Sequence, residues 1–271
     1  MVDCKPFIKW VGGKRKLLTE LEKRVPSDFS AYFEPFMGGA ALFWQLKPKP
    51  AILIDINQEL VNAYRCVQQD VEALIVDLQK HHYDQKYYYQ IRNSDRTSDY
   101  ASWSNIQRAS RFIYLNKTCF NGLYRVNSKG QYNVPFGRYK NPKIVDIENL
   151  RACSLALKDI EILTDSFLSI ESKITKGDFV YFDPPYIPLN TTSSFTGYSS
   201  QGFDTETQIA LRDLCLRLNK KGVRFMLSNS AAPLVFDLYS EFQIELVDMP
   251  RSINSKGDKR GKIKEVLITN Y

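Results

Sequence analysis

Short apolar runs alternate with longer amphipathic stretches at both ends of this chain, and acids mark the places where several of the runs stop. AYFEPF (31–36) reads as a strand, followed by a Gly38-Gly39 turn and a short helix, AALFWQL (40–46). AILIDI (51–56) is a second buried strand. After a long middle section the pattern resumes with IEIL (160–163), FVYF (179–182), RFMLSNS (224–230), IELV (244–247) and VLITN (266–270). Continuous apolar runs of this length, bounded by turn residues, predict strands buried on both faces. The segment 205–222 has helical periodicity; Thr205 and Gln208 suggest a capping box and Gly222 a stop. Strands alternating with helices imply an α/β class with a mostly parallel sheet covered on both faces.

The middle does not continue this alternation. Residues 57–79 are helical by periodicity and 104–117 form a further helix, after which CFNGLYRVNSKGQYNVPFGRYKNP (119–142) is rich in Gly, Asn and Pro. Long stretches without regular structure are uncommon unless they have a function. The expectation is therefore a catalytic domain built from 1–59 and 148–271, carrying a helical insertion at 60–147. A merely long crossover connection is the plainer alternative.

Charge sharpens this picture. The net charge is +7 over 271 residues, and between Ala101 and Val145 there are eight basic residues and no acid: Arg108, Arg111, Lys117, Arg125, Lys129, Arg138, Lys140 and Lys143. Eight aromatics share that window: Trp103, Phe112, Tyr114, Phe120, Tyr124, Tyr132, Phe136 and Tyr139. Such a segment points to a polyanion partner, most simply nucleic acid. A second basic stretch, 251–264, lies between two strands and is expected to be a mobile loop that orders on DNA. The five cysteines are scattered, with no CxxC pair, which suits a reducing cytoplasm rather than a disulfide framework or a zinc site. His81 and His82 are expected on the surface, not as metal ligands. No apolar run approaches the roughly 20 residues that span a bilayer, and MVDCKPFIKW lacks a secretory core.

The candidate chemistry sits at the strand ends. Asp55, Asp165 and Asp183 fall at or just beyond them, where open α/β sheets bind ligands. Asp55 lies 17 residues beyond Gly38, near the distance at which dinucleotide folds place a ribose-binding carboxylate. No GxGxxG is present, so an adenosine-type cofactor without a pyrophosphate fits better. WVGGKRK (10–16) resembles the end of a P-loop, but Ile8 stands where the first glycine belongs and Arg15 replaces the magnesium-binding Ser or Thr. A nucleoside triphosphatase is excluded on those grounds. FVYF runs straight into DPPY (183–186), whose prolines cannot donate to a sheet ladder, so the strand must stop at Asp183.

Read together, KWVGGKRKLL, YFEPFMGGAALF, LIDIN, FNGLYRVNSKGQYNVPFGRYKNP, FVYFDPPY, MLSNS and RGKIKEVLITN resemble the Dam-type DNA adenine methyltransferases, in that family's order and over nearly the whole length. DPPY by itself is only moderately specific, because related tetrapeptides occur in RNA and protein amide methyltransferases; its combination with NGL-R and VPFGRYK is far more specific. One departure is Ala40, which takes the last position of the family's FxGxG pattern; as a small residue it is expected to have little consequence.

The resemblance implies a Rossmann-like sheet that binds S-adenosylmethionine (AdoMet), and an inserted helical domain that reads double-stranded DNA. It implies methyl transfer to the exocyclic amine of adenine in GATC, by base flipping and direct in-line attack. Asp183 and the Pro184 carbonyl would accept the two amine hydrogens and aim the nitrogen lone pair, and Tyr186 would stack on the flipped base. Trp10, Lys14, Asp55 and Asp183 would contact AdoMet, with Phe36 and Asp165 as pocket walls. Arg125 would read guanine, Leu123 and Pro135 would touch neighbouring bases, and Asn121, Arg138, Tyr139 and Lys140 would contact bases or phosphates. No metal or membrane is implied, and a cognate restriction endonuclease would be a partner if the enzyme serves restriction–modification. Two other classes compete: a methyltransferase for another amine (cytosine in DNA or a protein glutamine), and a catalytically silent DNA-binding protein.

Overall fold

The apolar runs become strands where expected, and the turns that end them place the acids. The structure, a computed structural model, describes residues 4–14, 17–189, 203–249 and 263–271. Seven strands lie among them: β1 Tyr32–Glu34, β2 Ala51–Asp55, β3 Glu161–Thr164, β4 Phe179–Phe182, β5 Arg224–Ser230, β6 Gln243–Met249 and β7 Ile263–Thr269. The helices are α1 Leu18–Glu22, α2 Ala41–Leu46, α3 Gln58–Gln69, α4 Val71–Leu78, α5 Gln85–Asn93, α6 Asn105–Thr118, α7 Ile147–Leu157, α8 Thr205–Lys220 and α9 Pro233–Leu238. None is long and apolar enough to cross a membrane. The chain forms two units. One holds Met1–Gly13, Gly38–Lys47 and Asp55–Thr164, the other Lys14–Met37, Pro48–Ile54 and Asp165–Tyr271.

The second unit carries sheet strands in the order β2-β1-β4-β5-β7-β6. β1 pairs in parallel with β2 (Phe33↔Ile52) and with β4 (Phe33↔Val180), and β4 pairs in parallel with β5. β7 runs antiparallel to both β5 and β6. Every residue of β1 and β4 is buried, which is why their sequences read as unbroken apolar runs. The order reverses at β1, with β2 on one side and β4 on the other, so the carboxyl ends of β1 and β4 border a topological switch point. Glu34 ends β1 there, and Asp183 follows β4.

Helix α8 packs on β5 through a stripe that includes Leu211, Leu214 and Leu218. Its cap differs from the expected Thr205–Gln208 box. Asp204, with extended backbone, accepts a hydrogen bond from Thr207 N at 2.9 Å. A carboxylate satisfies the orphan amide and complements the helix dipole better than a neutral hydroxyl. Gly222 closes the helix as expected, at φ +73°, with Val223 N bonded to Leu218 O.

In the first unit α3 packs against α6, α7 and β3. The helical run expected over 57–79 is broken at Asp70, which has φ −149° and accepts from Ala73 N, ending α3 and capping α4. Ser104 and Gln107 form a full capping box on α6. Tyr88, Tyr114, Leu115, Cys119, Tyr132 and Val134 make a small core beneath the 119–142 segment. His81 departs from its expected surface position. Its ring stacks on Tyr114 at 4.4 Å and is hydrogen-bonded with the Tyr87 hydroxyl and Ser110 Oγ. Burial pushes its pKa down to about 4, so it is neutral at physiological pH. All five cysteines are buried, and none is in a disulfide.

Candidate active site

The turn after β4 has no backbone donor at Pro184 or Pro185, and other elements of the second unit hold it in place. Asn229 Oδ1, at the end of β5, accepts from Ile187 N at 3.1 Å, and the Ser230 hydroxyl donates to Ile187 O. Gln208 Nε2 on α8 donates to Pro185 O at 3.0 Å. Within this frame Asp183 Oδ1 accepts from Ser228 Oγ at 3.0 Å and pairs with Lys14 Nζ at 2.9 Å. The Lys14 ammonium also lies 4.2 Å from the centre of the Tyr186 ring, a cation–π contact. The Tyr186 hydroxyl donates to Glu265 of β7 at 2.8 Å. Burial and the neighbouring Asp183 carboxylate push that phenol well above its ordinary pKa, so it stays a donor.

Lys14, Asp183, Pro184 and Tyr186 are thus brought together. Ser228, Asn229, Ser230, Gln208 and Glu265 surround them, which the sequence reading did not anticipate. A signal existed: SNS places polar side chains in an otherwise buried strand, where each needs a partner. Phe36 stacks on Phe167 at 5.2 Å and meets Phe203 edge-on at 5.5 Å, forming an aromatic wall. Asp165 follows β3 and is exposed, its carboxylate accepting from Ser166 N.

Asp55, in the first unit, is gripped by backbone. Oδ2 accepts from Gly38 N at 3.0 Å and Oδ1 from Asn57 N at 2.9 Å. Burial raises its pKa, against the pull of these backbone bonds. The glycine turn leaves no room for a side chain at Gly38: a Cβ there, at φ +45°, would stand 2.6 Å from the Trp10 ring. Trp10 in turn stacks on Tyr124 at 5.7 Å. Ala40 is not neutral either. It takes φ 47°, ψ 44°, a left-handed conformation that costs a residue with a Cβ about 1–2 kcal/mol and that glycine adopts freely.

In the 119–142 segment Asn121, Arg125, Pro135, Arg138 and Lys140 are exposed, and Leu123 and Tyr139 half-buried. Arg125 Nε donates to Asn133 Oδ1 at 2.6 Å across a narrow hairpin closed by the Val126↔Tyr132 bridge. Tyr139 is largely occupied within the fold: its hydroxyl donates to Cys119 O at 3.0 Å and Lys9 Nζ lies over its ring. Two basic residues of the acid-free window are not part of an open charged face. Arg108 is paired with Glu59 of α3, and Arg111 is buried and paired with Asp95 at 2.8 Å. Phe112, Tyr114 and Tyr132 are core residues, whereas Phe120 is 50% exposed. The basic stretch 251–264 lies, except for Ile263 and Lys264, outside the described residues.

Similarity to known proteins runs over nearly the whole chain. The family model described as D12 class N6 adenine-specific DNA methyltransferase matches residues 10–253. The chain is 46% identical over 274 residues to the type II methyltransferase M1.LlaDCHI of Lactococcus lactis subsp. cremoris, covering 100% of this chain and 96% of that protein. It is 43% identical over 290 residues to the type II methyltransferase M.MjaIII of Methanocaldococcus jannaschii, covering all of both. To the DNA adenine methylase of Haemophilus influenzae it is 34% identical, over 97% of this chain and 92% of that one.

Proposed function

The chain belongs to the D12 class N6 adenine-specific DNA methyltransferases, and from that membership we propose that it methylates adenine N6 in GATC within double-stranded DNA, with the target base flipped out of the helix. The observation that carries the chemistry is the Asp183 carboxylate, held by Ser228 and Lys14 in a turn with no backbone donors at Pro184 or Pro185. An exocyclic amine is a poor nucleophile with two hydrogens to place. Asp183 and the Pro184 carbonyl accept them and hold the nitrogen lone pair towards the methyl group, by positioning and electrostatics. Tyr186 offers its ring to the flipped base, a stacking contact worth about 1–3 kcal/mol.

The family implies AdoMet, which when bound supplies an electrophilic sulfonium methyl. Asp55 fits such a group. Each of its oxygens accepts one backbone N–H, and a carboxylate oxygen has a second lone pair for a ribose hydroxyl. Trp10 and Lys14 would enclose the methionine end, with Phe36 and Asp165 towards the cofactor's adenine. Residues 60–147 serve as the target-reading insertion, with Arg125 on a guanine, Leu123 and Pro135 against neighbouring bases, and Asn121, Arg138, Tyr139 and Lys140 along bases or backbone. The two type II relatives favour work beside a restriction endonuclease that cuts the same site.

The test is direct. Unmethylated plasmid is incubated with the enzyme and AdoMet, then digested with nucleases that differ in their response to adenine methylation at GATC. Protection confined to the methylation-sensitive nuclease is expected. Methyl incorporation without any change at GATC would assign a different target.

A further inference from the structure

We propose that Asp95, on the 3-10 turn Ser94–Arg96, is a positioning residue for target reading, setting through Tyr132 and Asn133 where the Arg125 guanidinium stands. The inference rests on the reading of Arg125 given above. An acid in an element that faces a polyanion weakens binding unless it is neutralised and has a job there. Asp95 meets both conditions.

The relay starts from a fixed point. Arg111 of α6 is 5% exposed, and its Nε and Nη2 donate to the carbonyls of Ile91 and Arg92 at 2.9 and 2.6 Å. Its Nη2 also pairs with Asp95 Oδ2 at 2.8 Å, while Asp95 Oδ1 pairs with Arg96 at 2.6 Å. The same Oδ2 accepts from the backbone N of Tyr132 at 2.8 Å, and Arg96 Nη2 donates to the Tyr132 carbonyl at 2.8 Å. Both faces of one peptide residue are therefore clamped by the Ser94–Arg96 turn.

Tyr132 then joins the two limbs of the hairpin. It is buried, and its hydroxyl donates to Leu123 O at 2.8 Å on the limb that leads into Arg125. The next residue, Asn133, takes hold of Arg125 itself, accepting from Nε at 2.6 Å and donating its amide to the Arg125 carbonyl at 3.0 Å. A bidentate contact to a base needs the guanidinium fixed in direction as well as in place. Arg125 is exposed, and the described contacts that orient it all run back through this limb.

The experiment measures kcat/KM on oligonucleotides carrying GATC and on others with the guanine replaced, for Asp95→Ala, Asp95→Asn, Asn133→Ala, Arg125→Ala and the double variant Asp95→Ala/Arg125→Ala. Asp95→Ala is expected to lower the discrimination ratio by about tenfold, part of what one bidentate contact supplies. Asp95→Asn keeps an oxygen for the Tyr132 amide and should recover most of it. The double variant should discriminate no worse than Arg125→Ala alone, because both act at one contact. A purely structural role would lower activity on every oligonucleotide by one factor and leave the ratio intact; that result overturns the proposal. If Asp95→Ala does not fold, Asn133→Ala decides, since it removes only the far end of the relay; unchanged discrimination there also overturns it. If Arg125→Ala itself leaves discrimination unchanged, the reading of Arg125 falls and the proposal with it. If Arg125→Ala relaxes discrimination and Asp95→Ala does not, the proposal alone falls.

Discussion

Replacing Asp183 by alanine tests the site on two independent readouts. For the chemistry, it removes the acceptor proposed for the target amine, and methyl transfer should fall by about a hundred- to a thousandfold, the range for losing one such group. Affinity for target DNA should stay within about tenfold, because Asp183 orients the amine and need not hold the duplex. The stability readout comes from Lys14. The pair is 2.9 Å apart, with side-chain exposures of 6% for Lys14 and 22% for Asp183. Removing one member of a buried pair costs about 3–5 kcal/mol, because the other charge is left uncompensated. Two features reduce that here. Water reaches the Asp183 side, and Lys14 keeps its contact with the Tyr186 ring at 4.2 Å. Ser228 loses one acceptor but retains the Tyr181 hydroxyl at 3.1 Å. About 2–3 kcal/mol remains, and for a chain of this size that lowers Tm by roughly 5–10 °C. The assay is a thermal unfolding series on wild type, Asp183→Ala, Lys14→Met and the double variant. Lys14→Met removes the buried ammonium that has lost this carboxylate, so the double variant should be more stable than Asp183→Ala alone. If it is less stable, or if Asp183→Ala shifts Tm by less than about 1 °C, the pair is a solvated contact worth little and the reasoning fails.

Further outcomes are expected at Asp55, Gly38, Arg125 and Lys140. Asp55→Ala should weaken AdoMet binding with target preference unchanged. In the wild type, calorimetry on lowering the pH should show affinity starting to fall above the ordinary carboxylate pKa of about 3.9, because burial raises the Asp55 pKa and the neutral acid accepts hydroxyls less well. Gly38→Ala forces a Cβ to 2.6 Å from the Trp10 ring at a positive φ, and should cost about 1–3 kcal/mol in denaturant unfolding; an unchanged midpoint would mean the turn relaxes freely. Arg125→Ala should relax discrimination at the guanine, whereas Lys140→Ala should weaken all sequences alike and flatten the salt dependence; equal factors on every oligonucleotide for Arg125→Ala would make it a phosphate clamp and leave Arg138 the next candidate for base reading.

Much of this protein was determined locally. β1 and β4 are covered on both faces, and such strands need side chains that are apolar at every position, so they are visible in a window of a few residues. The prolines after Asp183 end a strand wherever they stand, because they have no N–H to give. Asp55 at a fixed distance beyond the glycine turn is likewise a property of the chain order. Charge pairing is different. Attraction depends on separation in space and on burial, neither of which a sequence window contains. A stretch of 45 residues without an acid therefore looked uniformly basic, yet Glu59, 49 residues before Arg108, neutralises that arginine, and Asp95 neutralises Arg111. Likewise Ser228 reaches Asp183 across 45 residues, and Lys14 meets it from near the amino terminus. His81, polar in its sequence neighbourhood, is stacked and neutral because α6 brings Tyr114 and Ser110 against it. Backbone preference and apolar pattern are carried by neighbours in the chain, but the partner of a charge is chosen only when the fold brings distant segments together.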